Sequence, residues 1–259
     1  MKHMPRKRFG QNFLHDQAII DRIIQAIDPQ LTDHIIEVGP GQGALTQPLQ
    51  QYCQQLEVIE IDRDLAAALN KMTTEAGDQS VNPLKKIHQQ DVLTVDFQAL
   101  KGNQPLRIVG NLPYNISTPL LFHLFRYMDV IQDIHAMLQK EVVDRLCAQP
   151  GNKTYGRLSV MAQFYCHIEP LMAVPASAFY PIPKVESAIV RLTPHPLQTR
   201  QTVDIDQLQK IVQLAFRHRR KTLRNTLKPV LSESQLIERG IDPQARAETL
   251  GLTDFLKLC

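Results

Sequence analysis

The sequence predicts an α/β protein: a mostly parallel sheet covered by helices, completed by an antiparallel hairpin and followed by a small all-α domain. Three observations carry that prediction. Helix-like and strand-like segments alternate from about residue 17, the pattern of parallel strands joined by helical crossovers. A glycine-rich loop, EVGPGQGA (37–44), stands between the first such strand and the next helix. The texture then changes twice, to proline-separated β-rich pieces near residue 164 and to sustained helical periodicity beyond residue 204.

Taken in order, HIIEV (34–38) is the first strand, LEVIEID (56–62) the second and KKIHQQD (85–91) a polar third. LRIVGN (106–111) is the fourth and IHAML (134–138) the fifth. Between them ALTQPLQQYC reads as helix, as does DLAAALNKMTTE, whose Leu65, Ala68, Leu69 and Met72 recur at helical spacing. FYCHIEPLMAVPASAFYPIPKVESAIVRLTP, β-rich pieces separated by prolines, supplies the antiparallel hairpin that completes the sheet. TPHPLQTRQTVD (193–204) reads as a linker, DIDQLQKIVQLAFRHRRKTLRNTLK as a continuous helical segment, and GIDPQARAETLGLTDFLKLC as short capped helices. The expected domains are therefore 1–195 and 196–259.

At 259 residues, 43% hydrophobic and 21% charged, the chain has the composition of a globular protein with a sizeable core. No stretch approaches the roughly 20 apolar residues of a membrane span. The basic start MKHMPRKRFGQNFLHD runs into no apolar segment, so no secretory signal and a cytoplasmic location are expected. Cys53, Cys147, Cys166 and Cys259 lie far apart with no C-x-x-C pair, which argues against a disulfide framework and a zinc site. The net charge of +3 is modest, but Arg6, Lys7 and Arg8 cluster at the start and RHRRKTLR (217–224) near the end. Within the expected helix, Arg217, Arg220, Lys221 and Arg224 would share one face, a candidate RNA-phosphate contact.

Glycines at 39, 41 and 43 directly after the first strand permit positive φ and let a ligand press against bare backbone at a helix start. Glu60 closes the second strand about 20 residues after the first glycine, where a carboxylate can accept from ribose hydroxyls. Gly39, Gly41 and Ala44 also satisfy the loose pattern G-x-G-x-x-A, so these features alone indicate a nucleoside without choosing between NAD and S-adenosylmethionine. Asp91 and Asn111 end the third and fourth strands, so four successive strands deliver a glycine or polar residue to one carboxyl edge, where open α/β sheets bind ligands.

The turn Asn111-Leu112-Pro113-Tyr114 adds chemistry. An amino group on a purine ring is a poor nucleophile because its lone pair is delocalised, and two acceptors aimed at its hydrogens draw that pair out of conjugation. The Asn111 side-chain oxygen can be one acceptor and the Leu112 carbonyl, presented by Pro113, the other. Tyr114 offers a face on which a flipped base can stack.

EVGPGQG, VIEID, QQD and NLPY resemble the successive motifs of class I S-adenosylmethionine-dependent methyltransferases that modify adenine at N6. RFGQNFLHD, NISTPLLFHLF, MLQKEVVDRL, YGRLSVMAQFY, FYPIPKVESAIVRL and FRHRRKTLRNTL extend the likeness, over nearly the whole chain, to the small-subunit rRNA adenine dimethyltransferases of the KsgA/RsmA type. That resemblance implies a Rossmann-like class I fold and S-adenosylmethionine as cofactor. It implies that Asn12 and Leu14 fold over the cofactor, that Gly39, Glu60, Asp91 and Asn111 line its pocket, and that Phe179 joins Tyr114 around the target base. The implied reaction is dimethylation of two adjacent adenosines near the 3′ end of 16S rRNA, linked to small-subunit maturation, by a monomer needing no metal or membrane. A nicotinamide-linked dehydrogenase would leave NLPY and the basic run unexplained. A noncatalytic RNA-binding or assembly factor would keep the basic surface without needing Glu60, Asp91 and NLPY together. The chain has no H-E-x-x-H, G-x-S-x-G or Walker loop, the minimum parts of metalloproteases, serine hydrolases and P-loop enzymes.

Overall fold

The computed structural model describes residues 11–75, 82, 84–200 and 203–259. The basic cluster Arg6, Lys7 and Arg8 lies outside the described residues. The chain runs β1 (Phe13–Leu14), α1 (Gln17–Ile27), β2 (His34–Val38), α2 (Thr46–Tyr52), β3 (Gln55–Ile59), α3 (Arg63–Glu75) and β4 (Lys86–His88). It continues through α4 (Phe97–Leu100), β5 (Leu106–Asn111), α5 (Ser117–Leu124), β6 (Ile131–Gln139), α6 (Lys140–Cys147), α7 (Arg157–Tyr165), β7 (Cys166–Val174), β8 (Phe179–Tyr180) and β9 (Ser187–Pro194). Five helices follow: α8 (Leu197–Arg200), α9 (Ile205–Phe216), α10 (Leu223–Thr226), α11 (Glu233–Glu238) and α12 (Leu252–Lys257).

Seven strands form one sheet in the order β4-β3-β2-β5-β6-β9-β7, and β1 pairs with β8 in a second, two-stranded sheet. The pairs β2–β3, β3–β4, β2–β5 and β5–β6 are parallel, while β9 lies antiparallel on β6. Strand order therefore reverses between β2 and β5, the switch point outside which ligands bind in such sheets. β2 is buried along all five residues, and β5 along its first five. Gly110 lets these two carboxyl ends converge: a Cβ there would stand 2.3 Å from the Val38 carbonyl oxygen.

Helix α1 shows how local chemistry sets an element. Asp16 accepts from the Ile19 amide at 3.2 Å, and Ile19, Ile20, Ile23, Ile24 and Ile27 form the buried stripe. At the far end, Asp28 turns into the left-handed region (φ 48°). Arg107 Nη2 takes up the Ile27 carbonyl at 2.7 Å, while the same guanidinium pairs with Asp33 and Asp133. Burial opposes ionisation of Asp133, but bonds from His135 and Arg107 outweigh it and hold the carboxyl below the usual range. Across β2, β3 and β4, buried Glu57 bonds His34 Nε2 at 3.0 Å and His88 Nε2 at 2.7 Å. Those bonds, that of His34 first, hold Glu57 down to about 2.

The chain forms two compact units, one running through Val143 and including Glu169–Thr193, the other comprising Asp144–Ile168 and Pro194–Cys259. Residues 144–168, which the linear division assigned to the first domain, group with the C-terminal helices because the apolar face of α7 packs on α9. In this second unit Phe216 stacks on Phe255 with centroids 5.8 Å apart, and Tyr155, fully buried, donates its hydroxyl to the Leu250 carbonyl at 2.9 Å. Part of the expected linker is ordered as α8.

The continuous helix expected across the basic run is corrected by the structure: α9 ends at Phe216, and residues 217–222 form turns before α10. The reason is tertiary. The amides of Leu223 and Arg224 donate to the carbonyls of Ala245 (2.9 Å) and Pro243 (3.0 Å) rather than to carbonyls one turn back. Arg217, Arg220, Lys221 and Arg224 are all exposed but do not share one helical face.

Candidate active site

A cavity of about 290 Å³ opens at the switch point. Its walls come from the loop after β2 (Gly39, Gly41), the residue after β3 (Glu60), the turn after β4 (Asp91) and the turn after β5 (Asn111 to Tyr114), with Asn12 to Leu14 of the β1 strap alongside. Each residue expected to touch the cofactor borders this cavity, and so does the whole NLPY turn. Two details differ from the strand reading. β3 ends at Ile59, so Glu60 is the first residue beyond it, and β4 ends at His88, so Asp91 caps the short 3₁₀ turn Val92–Thr94.

The glycine loop is held against its neighbours from both sides. Gly39, at φ +67°, donates its amide to the Ile59 carbonyl at 3.0 Å, and a Cβ on it would lie 3.6 Å from the Asn111 carbonyl oxygen. Gly41, at φ +57°, packs beneath Phe13, whose ring a Cβ would approach to 3.1 Å. Its amide donates to Glu60 Oε2 at 3.2 Å, and the Asp62 amide donates to Oε1 at 2.9 Å. A carboxylate oxygen has a second lone pair, so Glu60 keeps an acceptor for a hydroxyl pair while its rotamer is fixed by backbone. Asp91 accepts from the Leu93 amide through Oδ1 at 3.0 Å.

Two buried carboxyls, Glu37 and Glu60, line the cavity. Burial pushes the Glu60 carboxyl up, against the bonds from the Asp62 and Gly41 amides. Glu37, also lining the cavity, is pushed up to about 8 by burial despite a 2.6 Å bond from Thr46 Oγ1, with the Glu60 charge adding to the rise. A cationic occupant would offset the cost of ionising these two poorly solvated carboxyls.

Asn111 Nδ2 donates to the Asn12 carbonyl at 3.0 Å, which leaves Oδ1 as the outward acceptor. The Tyr114 hydroxyl shares a 2.6 Å bond with Ser187 Oγ at the start of β9. Phe179 is not among the residues that line this cavity; it is fully buried in the core cluster, paired in the β1–β8 ribbon opposite Leu14, which does line it. Sequence reasoning missed Glu37, Phe13 and Ser187. An acid within the first strand, two residues before Gly39, was a readable signal for Glu37; Ser187, 73 residues from Tyr114, had none. Arg217, Arg220, Lys221 and Arg224 belong to the second unit. Among the described residues no three His, Cys, Asp or Glu side chains are grouped to hold a metal ion, and no helix is long and apolar enough to cross a membrane.

A seven-stranded sheet in the order β4-β3-β2-β5-β6-β9-β7, reversing between β2 and β5 and carrying β9 antiparallel on β6, with the glycine loop and Glu60 at the switch-point edge, is the class I methyltransferase fold. Among solved structures, a dimethyladenosine transferase from Plasmodium falciparum superposes with a TM-score of 0.79 at 25% identity, covering 95% of each chain. The 23S rRNA methyltransferase ErmE shares the fold with a TM-score of 0.70 at 24% identity, over 95% of this chain and 98% of that one. The chain belongs to the ribosomal RNA adenine dimethylase family, whose model matches residues 2–259. It is 53% identical over 257 residues to the ribosomal RNA small subunit methyltransferase A of Nitrosococcus oceani, covering 99% of this chain and 95% of that protein. The protein of the same name from Yersinia pestis is 52% identical over 258 residues, covering 99% and 93%.

Proposed function

We propose that this protein dimethylates N6 of two adjacent adenosines in a loop near the 3′ end of 16S rRNA, within the small ribosomal subunit or its precursor, using S-adenosylmethionine and acting as a cytoplasmic monomer. The observation that carries this reading is the NLPY turn standing against the glycine loop at the switch point, with the Asn111 amide oriented by the Asn12 carbonyl. The names of the relatives support small-subunit rRNA as the substrate.

The residues present fit the cofactor. Glu60 has acceptors left for ribose hydroxyls, Asp91 Oδ2 can take the adenine amine, and a bound sulfonium and ammonium would stabilise the ionised forms of Glu37 and Glu60 that burial alone disfavours. When bound, S-adenosylmethionine supplies an electrophilic methyl group with a neutral thioether as leaving group. The protein's own work is then positioning and electrostatics. Asn111 Oδ1 and the Leu112 carbonyl accept from the adenine amine, localising its lone pair and stabilising positive charge as it develops on nitrogen. Tyr114, tethered through its hydroxyl, holds the base by its ring face. Phe179 serves as the core anchor behind Leu14. The second unit contributes the exposed Arg217, Arg220, Lys221 and Arg224 as phosphate contacts, so register on the RNA and choice of base are handled by different residues.

The test is to incubate the protein with S-adenosylmethionine and undermethylated small subunits and to identify the modified nucleosides by mass spectrometry. N6,N6-dimethyladenosine at two adjacent positions is expected. Methyl groups appearing on another base, or none, would overturn the reading.

A further inference from the structure

Resting on that reading, we propose that the loop Tyr180–Glu186 is a docking platform for the nucleotide next to the flipped adenosine, Tyr180 stacking on its base and Lys184 meeting its phosphate. The loop, joined at both ends to residues that line the cavity or bond to its lining, leaves a cluster of apolar side chains uncovered: Tyr180 is 65% exposed, Ile182 69% and Val185 42%. Lys184 between them is also exposed.

Both ends of the loop are fastened to cavity residues. At its start Tyr180 pairs directly opposite Phe13, and Phe179 opposite Leu14. Residues directly opposite across a strand pair share a face and neighbours along a strand do not. Leu14 and Phe179 therefore turn together into the core, while Tyr180 shares the face of Phe13, whose ring covers Gly41 at the cavity. At its end Ser187 holds the Tyr114 hydroxyl at 2.6 Å, and the Glu186 carbonyl accepts from the Lys140 amide at 2.9 Å. Pro181 and Pro183 fix φ at two positions within, so the loop presents its side chains with little ordering left to lose on binding.

The chemistry selects the occupant. Drawing one base out of a stack deprives its neighbour of a stacking partner, and an exposed aromatic ring beside the pocket can replace it. Stacking accepts any base, and a single lysine supplies charge without sequence preference. The apolar side chains and one cation thus suit a splayed strand continuing out of the cavity.

Methyl transfer into undermethylated small subunits tests the platform. Tyr180→Ala combined with Lys184→Gln should raise KM for subunits by roughly 5-fold or more, with kcat within about two-fold and S-adenosylmethionine affinity retained; Tyr180→Phe, which keeps the ring, should restore KM. p-Benzoylphenylalanine substituted for Tyr180 should crosslink to nucleotides adjoining the modified adenosines. Should Tyr180→Ala lower the melting temperature, Ile182→Ser with Lys184→Gln puts the same question away from the β1–β8 pairing, with the same rise expected. An unchanged KM in these variants, or crosslinks to a ribosomal protein alone, would overturn the platform while leaving the methyltransferase intact. Absence of adenine methylation by the unaltered protein would overturn the underlying reading, and the platform with it.

Discussion

The Asn111 side-chain amide donates to the Asn12 backbone carbonyl at 3.0 Å, so the strap beside the cavity sets which way this amide faces. A donor held there leaves the oxygen for the target amine. Asn111→Ala is expected to lower kcat by roughly 10²-fold or more, the scale of removing one preorganised polar group from a charge-developing centre. Asn12→Ala keeps the backbone carbonyl and should instead raise KM for S-adenosylmethionine. Single-turnover kinetics beside thermal melting separate the two, and wild-type kcat in Asn111→Ala would remove the residue from the chemistry.

Glu60 is fixed by the amides of Gly41 and Asp62, and Glu60→Ala should weaken S-adenosylmethionine binding by roughly 10-fold or more while sparing RNA binding. The neighbouring Glu37 gives a pH signature. Its carboxyl is raised to about 8 in the folded protein, so between the ordinary carboxylate range and that pH it is protonated when folded and ionised when unfolded. The contribution to stability is whole at low pH and lost as pH rises through about 8. A cationic cofactor favours the ionised form, so binding should release protons and tighten from pH 6 to pH 8. Calorimetry in buffers of different ionisation enthalpy measures this; buffer-independent enthalpies with a flat pH profile would exclude it.

Tyr114 is tethered by its hydroxyl to Ser187 rather than buried as a core ring. Tyr114→Ala should reduce methyl transfer by roughly 5- to 100-fold, the worth of one base stack, with a small change in melting temperature. Tyr114→Phe keeps the face and should retain most of the activity. A large loss of melting temperature with normal turnover in the folded fraction would instead assign the ring to packing.

Legibility followed burial. β2 and β5 have the bounds read from the sequence, because short apolar runs between turn signals mark strands buried on both faces. From those ends Gly39, Glu60, Asp91 and Asn111 follow, since a parallel sheet brings all its carboxyl ends to one edge. The β1–β8 ribbon was not legible: two residues per strand carry no periodicity, and its partner segment is far away in the chain. Nor was the break after Phe216, because Arg, Lys and Leu favour helix locally, while the amides of Leu223 and Arg224, which a continuous helix would bond one turn back, are claimed by the carbonyls of residues 245 and 243. The burial of Phe179 was not legible for a related reason: the alternation of the ribbon turns that ring into the core cluster beside Leu14 while Tyr180 faces out.

Glu57, bonded by His34 and His88 within the sheet, ties acid stability to three adjacent strands. Its folded value near 2 lies below the unfolded one, so its contribution is complete above the ordinary carboxylate range and is lost as pH falls toward 2. That contribution is on the order of 3 kcal/mol. Glu57→Gln should lower stability at pH 7 and flatten the fall between pH 5 and pH 2. Urea unfolding at several pH values reads both, and parallel pH curves for the two proteins would show that Glu57 is not the source.

The basic run breaks into a cap, a turn and a short helix, which changes what its residues can do. Arg219 is spent internally, donating to the carbonyls of Lys153 (2.6 Å) and Tyr155 (3.2 Å). Arg217, Arg220, Lys221 and Arg224 remain exposed on the turn and on α10. Cations on a turn spread over a wider arc than on one helical stripe, which suits phosphates of a folded RNA more than one straight strand. Arg220→Gln with Arg224→Gln should weaken small-subunit RNA binding and leave S-adenosylmethionine affinity unchanged. The slope of log affinity against log salt should flatten by roughly 0.7 to 0.9 per lost contact, because each neutralised phosphate releases its share of condensed counterions. Titrations at several salt concentrations decide it: wild-type affinity and slope in the double variant would mean that this surface is solvated charge and that the second unit meets RNA elsewhere or not at all.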